Sequence, residues 1–314
     1  MSRPVVVLSQ PMHAEAVARL EQEAEVRVSP GWDEESLIAA LRDADALIML
    51  GTGRVTRRVI EAAPGLRIIA RHGTGTDNID LDAARERGII VTNTPDATTA
   101  SVAEHTVGLL LAVSRRIALA DRGLRAGNWG VRGRCLGVDL AGRTLGVVGF
   151  GRIGQRVATI CHDGLGMRVV FHDLQPPPAG WDWAERLSLD GVLSAADAVT
   201  LHVPLTQATR HLIGRRELAL LKPTAILVNA SRGPVVDEQA LIEALRQRRL
   251  AGAALDVFEE EPVRGVHPLC EFDNVVLTPH IASATAETVR RMALEATEEV
   301  LAVLQGREPR HRVV

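Results

Sequence analysis

Short apolar-rich runs alternate with stretches of helical spacing from one end of the chain to the other. Val5–Leu8, Ala46–Leu50, Leu66–Ala70 and Ile89–Val91 have strand length, and Glu34–Arg42 between them carries helical spacing. Strands buried on both faces read as near-continuous apolar runs, so this alternation predicts parallel sheets covered by helices on both sides. A second series begins at Thr144–Gly149. It continues through Arg168–Phe171, Ala198–Val203, Ala225–Val228, Ala251–Leu255 and Val275–Leu277.

Between the two series, Ser101–Asp121 reads as one helix with Val102, Thr106, Leu109 and Val113 on a common face. Ser101 with Glu104 three residues on has the form of a capping box, which places the helix start there. Glu287–Leu304 reads as a second long amphipathic helix, with Val289, Met292, Ala296, Val300 and Val303 together. The expected chain is α/β with two domains. Residues 1–98 plus 287–314 form one and residues 99–286 the other, with crossovers near Thr98–Thr99 and Ala284–Ala286. The run Gln175-Pro176-Pro177-Pro178 is expected to be a loop.

Composition narrows the class. The chain has 314 residues, 46% of them hydrophobic and 24% charged, which suits packed cores and argues against disorder. Its 36 basic and 39 acidic residues are spread evenly, and it has no Tyr, so nothing recommends a nucleic-acid surface. The apolar run at the start is too short for a signal-peptide core, and Val107–Val113 is too short to span a membrane. Cys135, Cys161 and Cys270 are odd in number and far apart. They are expected to be reduced thiols of a cytoplasmic protein, with no disulfide or metal role.

Gly149-Phe150-Gly151-Arg152-Ile153-Gly154 closes an apolar strand and opens a helical segment, the context that gives a GxGxxG pattern meaning. The first glycine makes a tight turn, the second lets backbone approach a pyrophosphate, and the third lets helix and strand pack closely. The next strand ends at Asp173, 19 residues past Gly154. A carboxylate there accepts bonds from an adenosine ribose and repels a 2′-phosphate, so NAD is the expected cofactor.

Ligands of open α/β sheets gather at the carboxyl ends of strands. Three groups follow strands of the second series there: Asn229-Ala230-Ser231-Arg232-Gly233, Asp256-Val257-Phe258-Glu259-Glu260-Glu261-Pro262, and Thr278-Pro279-His280. An Arg can clamp a carboxylate through two parallel N–H bonds, which Lys cannot. A His can donate the proton an alkoxide needs when hydride reaches a carbonyl carbon. A neighbouring carboxylate keeps the proton on the imidazole and fixes its tautomer. Spacing does not choose among Glu259, Glu260 and Glu261.

On these motifs, together with Ala196–Gly214, Leu221–Leu241 and Leu277–Ser283, the chain resembles the D-isomer-specific 2-hydroxyacid dehydrogenases over nearly its full length. The resemblance implies a flavodoxin-like substrate domain and a Rossmann-type, doubly wound cofactor domain, joined as a homodimer through the cofactor domains. It implies that Arg232 binds substrate, that His280 is the proton donor, and that Glu261 is its carboxylate partner. It carries cofactor contacts onto Arg152, Ile153, Asp173, Val203, Pro204, Thr209, Ala230, Ser231, Asp256, Ala282 and Ser283, with Asp256 facing the nicotinamide end. In the first domain, Arg71–Asn78 resembles the substrate loop. There the segment His72-Gly73-Thr74 would hold a carboxylate by backbone N–H groups.

Members of the phosphoglycerate subgroup often carry an Arg after the third strand for the substrate phosphate. Here Leu50-Gly51-Thr52-Gly53-Arg54 has Leu50 at that place. Phosphoglycerate dehydrogenase and hydroxypyruvate or glyoxylate reductase therefore both stay open. The chain stops before any C-terminal regulatory domain, so the expectation is no feedback control by serine. An NAD-sensing, corepressor-like protein of the same fold is the alternative from another class.

Overall fold

In the computed structural model the described residues are 3–51, 53–177 and 179–314. Met1, Ser2, Thr52 (in the stretch after the third strand) and Pro178 (the end of the proline run) lie outside them. The chain divides into two compact units, one comprising residues up to Thr98 together with Ala284–Val314, the other Thr99–Ser283.

The first unit holds β1 (Val5–Leu8), β2 (Glu25–Val28), β3 (Ala46–Met49), β4 (Ile68–Arg71) and β5 (Ile90–Thr92). They form one parallel sheet in the order β2-β1-β3-β4-β5, a flavodoxin-like arrangement. Apolar clusters cover both faces. One is built on Leu37, Leu47, Val59 and Ile69, the other on Leu8, Leu20, Ile48 and Ile68 with Ala296, Val300 and Leu301 of the helix Ala286–Leu304. Fully burying side chains of this size stabilises by roughly 1.5–3 kcal/mol each. Thr285 caps that long helix through a bond from Thr288 N. Val289, expected on its buried face, stands 37% exposed near the first turn.

The second unit holds β6 (Thr144–Val148), β7 (Arg168–His172), β8 (Ala184–Arg186), β9 (Ala198–Leu201), β10 (Ile226–Asn229), β11 (Gly252–Leu255) and β12 (Val275–Leu277). The order β12-β11-β10-β9-β6-β7-β8 is parallel throughout. Strand order reverses between β6 and β9, and that switch point is where doubly wound sheets open a crevice for ligands.

Two expectations about the connecting helix are corrected. It runs Pro95–Ser114, so Ser101 is an interior residue, 5% exposed, and does not mark the helix start. Pro at the first helical position loses no bond it could have made, and the buried Ala97 and Thr98 extend the packed face towards it. Nor does one helix reach Asp121. Arg116 adopts φ 57° and a new helix starts at Ile117. The crossing segment Gly137–Val138 accounts for the break, because Val138 N donates to the carbonyl of Ser114 at 2.9 Å. A Cβ on Gly137 would stand 2.6 Å from the same oxygen. Among the described residues, no helix is long and apolar enough to cross a membrane.

Candidate active site

The three fingerprint glycines have three distinct surroundings. Gly149 turns at φ +92°, and a Cβ on it would meet the His202 carbonyl at 2.7 Å. A Cβ on Gly154 would stand 2.1 Å from Gly149 O, so the helix Arg152–Thr159 closes against its own turn only because the third glycine lacks one. Around Gly151 there is open space. A group needing close backbone approach fits at Gly151, beside the first turn of a helix whose N–H groups favour anions. Arg152 is exposed and Ile153 half-buried in that turn.

Asp173 follows β7 half-buried and accepts from Phe150 N at 2.6 Å and Gln175 N at 2.9 Å. A carboxylate offers about four lone-pair sites, so two backbone donors leave capacity for ribose hydroxyls. These residues fit a dinucleotide with an unphosphorylated adenosine ribose.

The other expected cofactor residues follow β9, β10, β11 and β12 at their carboxyl ends. Val203 is half-buried and Pro204 exposed, and Thr209 Oγ1 closes a turn by donating to Pro204 O at 2.6 Å. Ala230 and Ser231 are half-buried. Ser231 donates through both N and Oγ to Asn229 Oδ1, at 3.0 and 2.9 Å. Ala282 is buried and Ser283 half-buried. Asp256 is fully buried, and its carboxylate is gripped within the chain by Thr278 Oγ1 at 2.6 Å, Ile281 N at 2.9 Å and Ala282 N at 2.8 Å.

The second unit brings Arg232, Glu261 and His280 together through backbone. Gly233 leaves no room for a Cβ, which would lie 1.8 Å from Phe258 O, so the Arg232 turn rests on the loop after β11. Phe258 N donates to Glu261 Oε1 at 2.9 Å, and Glu261 Oε2 meets His280 Nδ1 at 2.6 Å. His280 N in turn donates to Asp256 O at 2.7 Å. Arg232 is half-buried and donates from NH1 to Ser231 O at 2.7 Å. The structure separates the three glutamates: Glu259 pairs with His211 at 2.7 Å and takes Glu238 N, while Glu260 is exposed. With Nδ1 engaged by Glu261, Nε2 of His280 is left to face a ligand.

In the first unit, Gly73 sits at φ +133°, and its N–H donates to Thr94 Oγ1 at 2.9 Å. Of the expected donors in His72-Gly73-Thr74, that bond engages Gly73, and His72 N donates to Met49 O at 3.0 Å, which leaves the N–H of Thr74 with no acceptor among the described residues. Arg71 braces the loop by donating to the carbonyls of Gly75, Met49 and His72 at 3.1, 3.0 and 2.8 Å. Burial, and the charge of Arg71 beside it, push the His72 imidazole down to about 4, so it stands neutral at pH 7. Leu50 is buried in the apolar cluster over β1, β3 and β4. Sequence reasoning missed His105, and it named Thr278 only as a neighbour of His280. His105 is the single histidine of the helix Pro95–Ser114 and carries no spacing signal.

Residues 107–282 match the family profile described as D-isomer specific 2-hydroxyacid dehydrogenase, NAD binding domain. The chain is 46% identical, over 98% of its length, to the glyoxylate reductase of Aeropyrum pernix, and covers 95% of that protein. It is 44% identical over 96% of its length to the D-3-phosphoglycerate dehydrogenase of Methanocaldococcus jannaschii, of whose length it spans 57%. The crystal structure of a glyoxylate reductase from Paecilomyes thermophila superposes with a TM-score of 0.92 at 31% identity. That match covers 100% of this chain and 99% of the other.

Proposed function

The chain belongs to the D-isomer-specific 2-hydroxyacid dehydrogenases, NAD-dependent oxidoreductases of the CH–OH group, and from that premise we propose that it reduces small unphosphorylated 2-keto acids of the glyoxylate and hydroxypyruvate kind. The observation that carries the chemistry is the 2.6 Å contact between His280 Nδ1 and Glu261 Oε2. NADH held at the Gly149–Gly154 turn and Asp173 would supply the hydride for the carbonyl carbon. His280 gives its Nε2 proton to the carbonyl oxygen as negative charge grows there, and Glu261 steadies the imidazolium before the transfer. Arg232 orients the substrate carboxylate by a bidentate clamp.

The preference for an unphosphorylated acid rests on Leu50. Its side chain is buried among apolar residues, and Arg71 donates to three main-chain carbonyls, so neither is set up as a phosphate clamp. The relatives matched over nearly their whole length are named glyoxylate reductases, which points the same way. The three cysteines are unpaired, which supports a cytoplasmic setting. A homodimer through the second unit would cover Ile117, Leu124, Trp129 and Leu136, four large apolar side chains exposed by 53–89% on one stretch of chain.

The test is NADH oxidation by wild type and His280→Ala with glyoxylate, hydroxypyruvate, 3-phosphohydroxypyruvate, pyruvate and 2-ketogluconate. Turnover with glyoxylate or hydroxypyruvate, lost in the variant, is the expected result. A preference for the phosphorylated acid would overturn the substrate assignment and keep the chemistry. Tight NADH binding with no turnover on any acid would favour an NAD-sensing protein.

A further inference from the structure

The turn that carries His280 is strained and held from one side. His280 adopts φ 54°, a left-handed conformation that a non-glycine residue holds only when its surroundings over-determine it. The holding group is Asp256. Its carbonyl takes His280 N, and its carboxylate takes the next two N–H groups, those of Ile281 and Ala282. The same carboxylate takes the hydroxyl of Thr278 at 2.6 Å. One residue thus fixes the main chain at 280, 281 and 282, and its side chain is 1% exposed.

A buried carboxylate is a poor anchor unless it stays ionised and compensated. Burial alone would push the Asp256 carboxyl up. The bonds from His105, Thr278, Ile281 and Ala282 outweigh it and hold the group below the ordinary carboxylate range. His105 reaches in from the helix Pro95–Ser114, its Nε2 lying 3.1 Å from Thr278 Oγ1 and 3.4 Å from Asp256 Oδ1. Thr278 has a single hydroxyl proton, and the short contact gives it to Asp256. Its oxygen therefore accepts from His105, and Nε2 of His105 carries a proton. The order of donation is His105 to Thr278 to Asp256, and Asp256 receives the His280 turn.

We infer that His105 is a positioning residue, which sets the His280 turn through Thr278 and Asp256. The inference rests on His280 being the proton donor. It assigns to His105 a role through its contacts with Thr278 and Asp256, which in turn hold the His280 turn. Loss of the Nε2–H leaves the Thr278 oxygen without its donor and weakens compensation of a buried charge. The turn then samples geometries in which His280 is misplaced, and misplacement by about 1 Å is enough to cost a proton transfer ~100-fold.

The experiment compares His105→Leu, His105→Gln and Thr278→Val with wild type. Gln keeps an N–H donor close to the position of Nε2. In His105→Leu, kcat should fall at least about tenfold, while KM for the keto acid and Kd for NADH stay within about twofold. In His105→Gln, kcat should return to within about threefold of wild type. Wild-type kcat in His105→Leu, or a loss that Gln does not restore, overturns the inference. So does an effect confined to Kd for NADH or to the melting temperature. If His105→Leu does not fold, the same kcat fall in Thr278→Val supports the inference and an unchanged kcat overturns it. A readout free of turnover separates this inference from the activity it builds on. The imidazole NMR signals of His280, identified by their loss in His280→Ala, should shift in His105→Leu and return in His105→Gln even if no acid in the panel is reduced.

Discussion

Acid should weaken the second unit through one histidine. His202 follows β9, where its N–H donates to Val148 O at 2.7 Å, and its Nε2 is enclosed with no partner among the described residues. Burial pushes the imidazole from 6.5 down to about 4. The folded value lies below the unfolded one, so the stability of the neutral state is whole above about pH 6.5. It is lost as pH falls from there towards about 4. A difference of 6.5 against about 4, at about 1.4 kcal/mol per pH unit, sets a ceiling near 3 kcal/mol, and about 2 kcal/mol of it is felt at pH 5. That is a large share of a stability of roughly 5–15 kcal/mol. The assay is urea unfolding at pH 8 and pH 5, followed by tryptophan fluorescence. Trp129, Trp181 and Trp183 are three of the chain's 4 tryptophans, and all three lie in the second unit. Between the two pH values His202→Asn should lose about 2 kcal/mol less than wild type. His72, equally shifted in the first unit, remains in both proteins as an internal standard. An acid loss in the variant equal to that of wild type would refute the reasoning.

Gly233→Ala places a Cβ 1.8 Å from Phe258 O and forces the Arg232 turn off the Glu261 loop. Steady-state kinetics should show kcat/KM lowered at least about 100-fold, near 3 kcal/mol of transition-state stabilisation. Asp173→Ala removes the charge that would repel a 2′-phosphate, so the ratio of kcat/KM with NADPH to that with NADH should rise at least about tenfold. Absolute activity with NADH should fall, because Phe150 N and Gln175 N lose their acceptor. Burial pushes the Cys161 thiol up to about 12, whereas Cys270 is exposed. A disulfide reagent at pH 8 should therefore modify Cys270 within minutes and Cys161 only after unfolding.

What the chain's pattern revealed follows from where its information is stored. Ten of the strands are apolar because both faces of a parallel sheet are covered, and they stand out in the sequence for that reason. Two of the four edge strands, Glu25–Val28 and Ala184–Arg186, carry charged residues and lack any apolar run, so pattern reading passes over them. The break at Arg116 is set by Gly137–Val138 crossing the helix end, a contact between distant parts of the chain that no local window contains. The same holds for the glutamates. Glu259, Glu260 and Glu261 are equivalent in sequence, and only the fold directs the first to His211 and the last to His280. His105 was invisible for a related reason, since its partners Thr278 and Asp256 lie more than 150 residues away.

The residues proposed for chemistry and the residues proposed for choice of substrate belong to different units. Arg232, Glu261 and His280 are interlocked within Thr99–Ser283 through backbone contacts at Gly233, Phe258 and Asp256. A change at any of these disturbs several at once, so the set tolerates little variation. Leu50, Arg71 and Thr74 stand in the other unit, where Leu50 packs on a sheet face and can be exchanged without touching the interlocked set. Chemistry can then stay fixed while the acid it serves changes. Under the proposed reading, the choice of acid turns on the stretch after β3, where Leu50 is buried among apolar side chains.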